Sequence, residues 1–176
     1  MIGVRRLVST IALCTALSVA VAACHKKVTP QAPAPPPPPP PAAPPRALSD
    51  EEIFARKSVD QLNAEKPMDD VFFDLDKSNV RDDAKPALQK DADWMKKWSS
   101  VQVMLEGHCD SRGSAEYNLG LGNRRATAVK EYLVSLGVAA GRVTIVSKGK
   151  EQPFCNDENE SCWQQNRRGH FVITGK

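Results

Sequence analysis

The chain has no apolar run of 18 or more residues beyond residue 25, the length a membrane-spanning helix needs. It has little excess charge. Its 24 basic residues, less Arg5 and Arg6 of the leader described below, leave 22 against 21 acidic ones, a balance of about +1. A near-neutral chain lacks the electrostatic footprint of general nucleic-acid binding. Its five cysteines include no C-x2-C pair, and no internal repeat is visible. With 176 residues, 41% apolar and 26% charged, the sequence fits one soluble domain with tails. It excludes a polytopic membrane protein, a DNA-coating protein and a large multidomain enzyme.

What is present begins with an address. Residues 1–23 carry Arg5 and Arg6 followed by the apolar run 7–23, the layout of a secretory signal rather than a spanning helix. The run ends Val21-Ala22-Ala23-Cys24. Small residues before a cysteine resemble a bacterial lipobox, which implies lipidation of Cys24 after cleavage; the alternative is an ordinary signal with an incidental cysteine. Two or three acyl chains would anchor the protein stably, where one is marginal. His25 rather than Asp follows Cys24, which resembles an outer-membrane address in the enterobacterial lipoprotein sorting rule.

Eleven of the 14 prolines lie within residues 30–45. Proline fixes φ and removes the backbone donor, so this stretch is expected to be an extended polyproline rod of roughly 50 Å. It reads as a spacer between anchor and domain; a ligand for an aromatic groove is the other reading. Ser49 before Asp50-Glu51-Glu52 marks a helix start, with Ile53, Val59 and Leu62 as a weak apolar face up to Pro67. The expected organisation is thus a signal at 1–23, a lipidated N-terminus with spacer and lead-in helix at 24–66, and a domain at 67–176.

Within the domain, residues 71–75 and the alternation Val101, Val103, Leu105 read as strands. Residues 142–147 and 169–174 supply two more. Pro86 suits the opening of a helix, and Leu88, Ala92, Met95 and Trp98 form its apolar stripe. A second helix is expected over 118–136, with Leu119, Ala126, Val129, Leu133 and Leu136 inward and Gly137 as its cap. The fold class is α/β: a small mixed four-stranded sheet with two main helices packed on one face.

Export places the remaining cysteines in an oxidising compartment. Cys155 and Cys162 bracket a polar loop that one disulfide can close, worth roughly 2–3 kcal/mol; zinc is the rival, without the usual ligand spacing. Cys109 stands between His108 and Asp110. A thiol hydrolase could use a Cys–His pair, but neighbours at a strand end point in opposite directions, so a small semi-buried side chain is the plainer reading.

The informative stretch runs from Glu106-Gly107-His108-Cys109-Asp110-Ser111-Arg112-Gly113 to Glu116-Tyr117-Asn118 and Asn123-Arg124-Arg125-Ala126. A strand ends in a glycine-punctuated loop that feeds a helix. Asp110 at the strand's end and Arg125 on the helix could converge on a ligand bearing both an ammonium and a carboxylate, which Arg grips with two parallel bonds. Such a pair is more often an internal salt bridge.

These residues resemble the OmpA-like peptidoglycan-binding domain family, whose signature sets an Asp, an Asn eight residues on and an Arg-Ala seven further. Phe73-Asp74-Leu75-Asp76-Lys77, Glu116-Tyr117-Asn118 and Asn166-Arg167-Arg168 resemble in particular its lipoprotein branch, the peptidoglycan-associated lipoproteins. The resemblance implies that Asp110 faces the ammonium of wall diaminopimelate and Arg125 its carboxylate, that Asp76 adds a ligand contact, and that Asn118 braces the loop. It implies no enzyme, cofactor or metal. It further implies outer-membrane anchoring with the domain facing the periplasm, and partners in peptidoglycan, the Tol-system propeller protein and the Tol inner-membrane components. Cys109 departs from the Ala or Thr common at its position, and the loop between Cys155 and Cys162 departs from the family's commonest form. The alternatives are a wall hydrolase, or a family lipoprotein outside the Tol system.

Overall fold

The computed structural model describes Pro33 and residues 46–176. The expected signal at 1–23, Cys24 and nearly all of the proline spacer lie outside the described residues. Among the described residues no helix is long and apolar enough to cross a membrane. The compact unit that holds the elements below spans Arg46–Lys176.

Two short helices open that unit where the sequence suggested one. Ser49 caps α1 (Asp50–Arg56) and Ser58 caps α2 (Val59–Glu65), each in a reciprocal capping box, with Glu52 and Gln61. The second box explains the break: Lys57 is extended and the Ser58 hydroxyl takes over the backbone donors of a new helix. Both helices pack against the rest of the unit. Phe54 stacks on Trp98 at 3.9 Å between ring centroids, Leu62 is buried, and the Asn63 amide bonds both the N–H and the C=O of Ile173. Asn63 thereby serves as a one-residue substitute for a neighbouring strand.

The sheet has the order β1-β4-β2-β3, formed by β1 (Val71–Phe72), β2 (Gln102–His108), β3 (Val143–Gly149) and β4 (Arg168–Gly175). The pair β2–β3 is parallel and the others antiparallel, so the sheet is mixed, as the alternation of strands and helices implies. The first strand is shorter than residues 71–75, because after the bond from Phe73 N–H to Arg167 O the chain turns away. Val71, Val103, Leu105, Phe171 and Ile173 meet Leu88, Ala92 and Met95 of α3 (Lys85–Lys97) and Ala126, Val129 and Leu133 of α4 (Ala115–Ser135) in one core. Leu119 does not join it. That side chain is 54% exposed, and Leu121 is the inward leucine at that end of α4.

Two glycines set how closely α4 lies on the sheet. A Cβ on Gly107 would meet the Gly122 carbonyl oxygen at 1.9 Å, and one on Gly122 would meet Gly107 O at 2.6 Å. Strand and helix therefore touch backbone to backbone. Gly107→Ala should destabilise the unit by more than about 3 kcal/mol in chemical denaturation, whereas Gly141→Ala, with nothing within 4 Å of the added methyl, should be neutral or slightly stabilising.

An ionisable side chain on α3 is also buried. Asp91 of α3 is 2% exposed; Oδ1 accepts the Asp69 N–H and Oδ2 has no partner. Burial outweighs that hydrogen bond and raises its pKa from 3.8 to about 7. The folded state thus holds a proton that the unfolded state releases near pH 4. This group's contribution to stability is complete below that pH and falls by about 1.4 kcal/mol per pH unit until about pH 7. Burial also lowers the His108 pKa, which acts in the opposite direction below about pH 6.5. The comparison with Asp91→Asn isolates Asp91: the variant's stability relative to the parent should rise between pH 4 and 7, measured by denaturation at each pH.

Candidate functional site

The contact between Gly107 and Gly122 brings Arg125, one turn further along α4, under the end of β2. Its guanidinium is fully buried and lies over the Phe73 ring at 5.1 Å. Nε donates to Lys77 O at 2.9 Å, Nη1 to His108 O at 2.8 Å and Nη2 to Asp74 O at 3.1 Å. Three of its five N–H groups are therefore used on backbone carbonyls, and one remains on each Nη. Among the described residues no carboxylate forms an ion pair with it within 4.0 Å. Burial lowers its pKa from the ordinary value. A buried cation solvated by dipoles alone is receptive to an anion.

Asp110 is 4% exposed at the mouth of the same cleft. Its partner is not Arg125. Oδ2 accepts Arg112 Nη2 at 2.6 Å and Arg167 Nη1 at 3.1 Å, and Oδ1 accepts the Arg112 N–H. Burial pushes the Asp110 carboxyl up, but the hydrogen bonds from Arg112 and Arg167 outweigh it and hold the group below its usual range. The internal Asp110–Arg125 salt bridge that the sequence left open is thus not made.

The remaining candidates gather at the same place. Leu75, Asp76, Cys109, Asp110, Asn118, Leu121, Arg125 and Arg167 line one narrow cleft. Asp76 sits in the left-handed region at φ 55°, a conformation that Asp tolerates better than most residues, and its carboxylate accepts the Tyr117 hydroxyl at 3.4 Å. Asn118 Nδ2 donates to Arg112 O at 2.6 Å and Ser114 O at 3.0 Å, tying the loop between β2 and α4 to the helix.

A match to the OmpA family covers residues 72–167, more than half of the chain. The chain belongs to the OmpA family. It is similar to curated proteins named peptidoglycan-associated lipoprotein, among them those of Mesorhizobium japonicum (45% identical over 107 residues) and Rhizobium meliloti (46% over 107). These alignments cover 61% of this chain and 64% and 61% of the two relatives, so the match spans a little under two thirds of their length. The crystal structure of the peptidoglycan-associated lipoprotein from Burkholderia pseudomallei superposes with a TM-score of 0.58 at 39% identity, covering 60% of this chain and 89% of that one. The C-terminal domain of Helicobacter pylori MotB also superposes with a TM-score of 0.58, covering 62% of this chain and 86% of that one; at 18% identity it shares the fold.

Within this OmpA-family cleft, sequence reasoning missed Arg167. It lies 57 residues from Asp110 in sequence, and the only signal available was the Asn166-Arg167-Arg168 triplet. It also missed α5 (Glu160–Asn166), which opens inside what read as a loop, capped by Asn159. The Cys155–Cys162 disulfide joins the preceding loop to α5. Trp163 of α5 donates to Ser111 Oγ, and Glu160 pairs with Arg167 Nη2 at 2.6 Å. The bridge therefore anchors residues that support the cleft.

His108 and Cys109 do not cooperate. The His108 ring bonds Glu106 and Gln152 O, while Cys109 Sγ donates to Asn118 O at 3.3 Å. Burial raises the Cys109 pKa, which keeps the thiol protonated rather than nucleophilic. Replacing both Cys155 and Cys162 by Ser should cost about 2.5 kcal/mol by loop-closure entropy, read from denaturant midpoints, and should speed amide exchange in α5 ahead of the sheet.

Proposed function

We propose that this protein is an envelope lipoprotein that binds peptidoglycan without making or breaking a covalent bond. The supporting observation is Arg125: a buried guanidinium fixed by three carbonyls, without a carboxylate partner, holding two N–H groups in reserve. In this reading the two remaining N–H groups, one on each Nη, take the two oxygens of a carboxylate. Asp110, with Asp76 at the lip, supplies negative charge beside it. The cleft is thus matched to a group that carries a carboxylate and an ammonium on one carbon, as the side chain of wall diaminopimelate does. The relatives' name, peptidoglycan-associated lipoprotein, supports the same ligand.

In this reading the carboxylate binds Arg125 and the ammonium binds Asp110, with Asp76 as a further contact and Asn118 as the brace. Because Arg125 is sealed in the free protein, the ligand enters by widening the lip formed by Leu75 and Asp76. That lip lies on the segment that turns away after β1, and Leu75 is 47% exposed. Lipid on Cys24 would hold the chain in the outer membrane, and the proline spacer would carry the 67–176 domain through part of the periplasm to the wall. This arrangement fits a Tol-linked role in envelope integrity and cell division, with the Tol propeller protein and inner-membrane components as partners.

Arg125→Lys keeps the charge but loses the planar fork and its carbonyl geometry. It should weaken binding to a diaminopimelate-containing peptide at least about tenfold by calorimetry, and Asp110→Ala should do the same. A tight complex with both variants, each shown folded by circular dichroism, would sink the assignment. Purified peptidoglycan should be bound by the parent protein and show no clearing in a zymogram.

A further inference from the structure

The proposed ammonium position at Asp110 is already filled. Two guanidinium groups share Oδ2 of that carboxylate, and they differ in freedom. Arg167 has 3% of its side chain exposed and is fixed on every side: Nε donates to Phe73 O at 3.1 Å, Nη2 pairs with Glu160 at 2.6 Å and also bonds Gln164, and Nη1 reaches Asp110. Releasing it would break four bonds in a buried place. Arg112 has 34% of its side chain exposed and makes one side-chain hydrogen bond, to Asp110 at 2.6 Å. Its Nε is buried without a partner.

Arg112 also has somewhere to go. Its guanidinium lies over the Trp163 ring at 4.1 Å, and Glu160 Oε2 is 4.0 Å from Nη2. Trp163 is itself held by bonds from its indole N–H to Ser111 Oγ at 3.1 Å and Glu158 at 3.2 Å. A small rotation would carry the guanidinium from Asp110 toward Glu160 while keeping its aromatic support. A cation stacked on an aromatic face retains part of its stabilisation when it loses a carboxylate.

We propose that Arg112 is an internal counter-ion for Asp110, displaced onto Trp163 and Glu160 when the ligand's ammonium arrives, and that it thereby sets the cleft's affinity for an amine. This inference rests on the reading of the cleft given under Proposed function. A buried carboxylate without a cation is costly, and Arg112 together with Arg167 meets that need in the empty cleft. With Arg112 and Arg167 already on Oδ2, an arriving ammonium would be a third cation there, so ligand and Arg112 compete. The exchange tempers the affinity and favours an amine that can replace a 2.6 Å charged bond.

The test is calorimetry on the exported, oxidised chain with two probes: a diaminopimelate-containing peptide and the same peptide acetylated on its side-chain amine. Arg112→Gln should bind the free-amine peptide roughly tenfold more tightly than the parent, and the acetylated peptide with unchanged affinity. Equal or weaker binding of the free-amine peptide by Arg112→Gln, while Asp110→Asn abolishes binding, overturns the counter-ion role and leaves the cleft assignment standing. Binding undiminished by Asp110→Asn and by Arg125→Gln overturns both. A gain with the acetylated peptide equal to that with the free amine shows general loosening of the cleft and likewise overturns the counter-ion role.

Discussion

The site depends on one buried cation held by backbone oxygens. Arg125 joins the carbonyls of Asp74 and Lys77, on the segment after β1, to that of His108 at the end of β2. A single side chain thus fixes the relative position of two segments that are not neighbours in the sheet. It can reach them because Gly107 and Gly122 let α4 settle against β2 with no side chain between. Backbone geometry, rather than apolar packing alone, decides where the guanidinium comes to rest.

The usual penalty for burying a charge without an opposite charge is steep. Three carbonyl dipoles offset much of it here and leave a site whose electrostatics a bound carboxylate would complete. Around Asp110 the arrangement is reversed, since two arginines neutralise the carboxylate before any ligand is present. The two halves of the cleft are therefore unlike: one holds an unmet charge and the other a charge already met. The α5 segment, tied by the Cys155–Cys162 bridge, supplies Trp163 and leads into Arg167, so a short covalent loop supports the half that is already neutralised.

Much of this was legible in the sequence. The alternation of Val101, Val103 and Leu105 and the Pro86 helix start are local signals, one a backbone period and the other a helix opening, whereas Asp110 and Arg125 were singled out as a ligand pair by the family resemblance and not by any period. What escaped was set by tertiary contact. The helical period gives Leu119 an inward angle, but it cannot say where on α4 the sheet stops covering the helix. Of the two arginines on Asp110, Arg112 is a sequence neighbour, but Arg167 could not be read locally, because it caps α5 just before β4, 57 residues away. The break between α1 and α2 was in principle readable, since Ser58 and Gln61 repeat the capping pattern of Ser49 and Glu52. Glycine's part in the site was hidden for a different reason: a missing Cβ matters only against the backbone it faces, and that partner is fifteen residues away.

The central claim is that Arg125 keeps its three carbonyl bonds and receives a ligand carboxylate on its two remaining N–H groups. A crystal structure of the chain with a diaminopimelate-containing peptide tests it most directly. The account predicts the ligand carboxylate within hydrogen-bond distance of both Nη atoms, with the bonds to the Asp74, Lys77 and His108 carbonyls intact. A ligand bound elsewhere on the surface, with Arg125 still sealed, would contradict it.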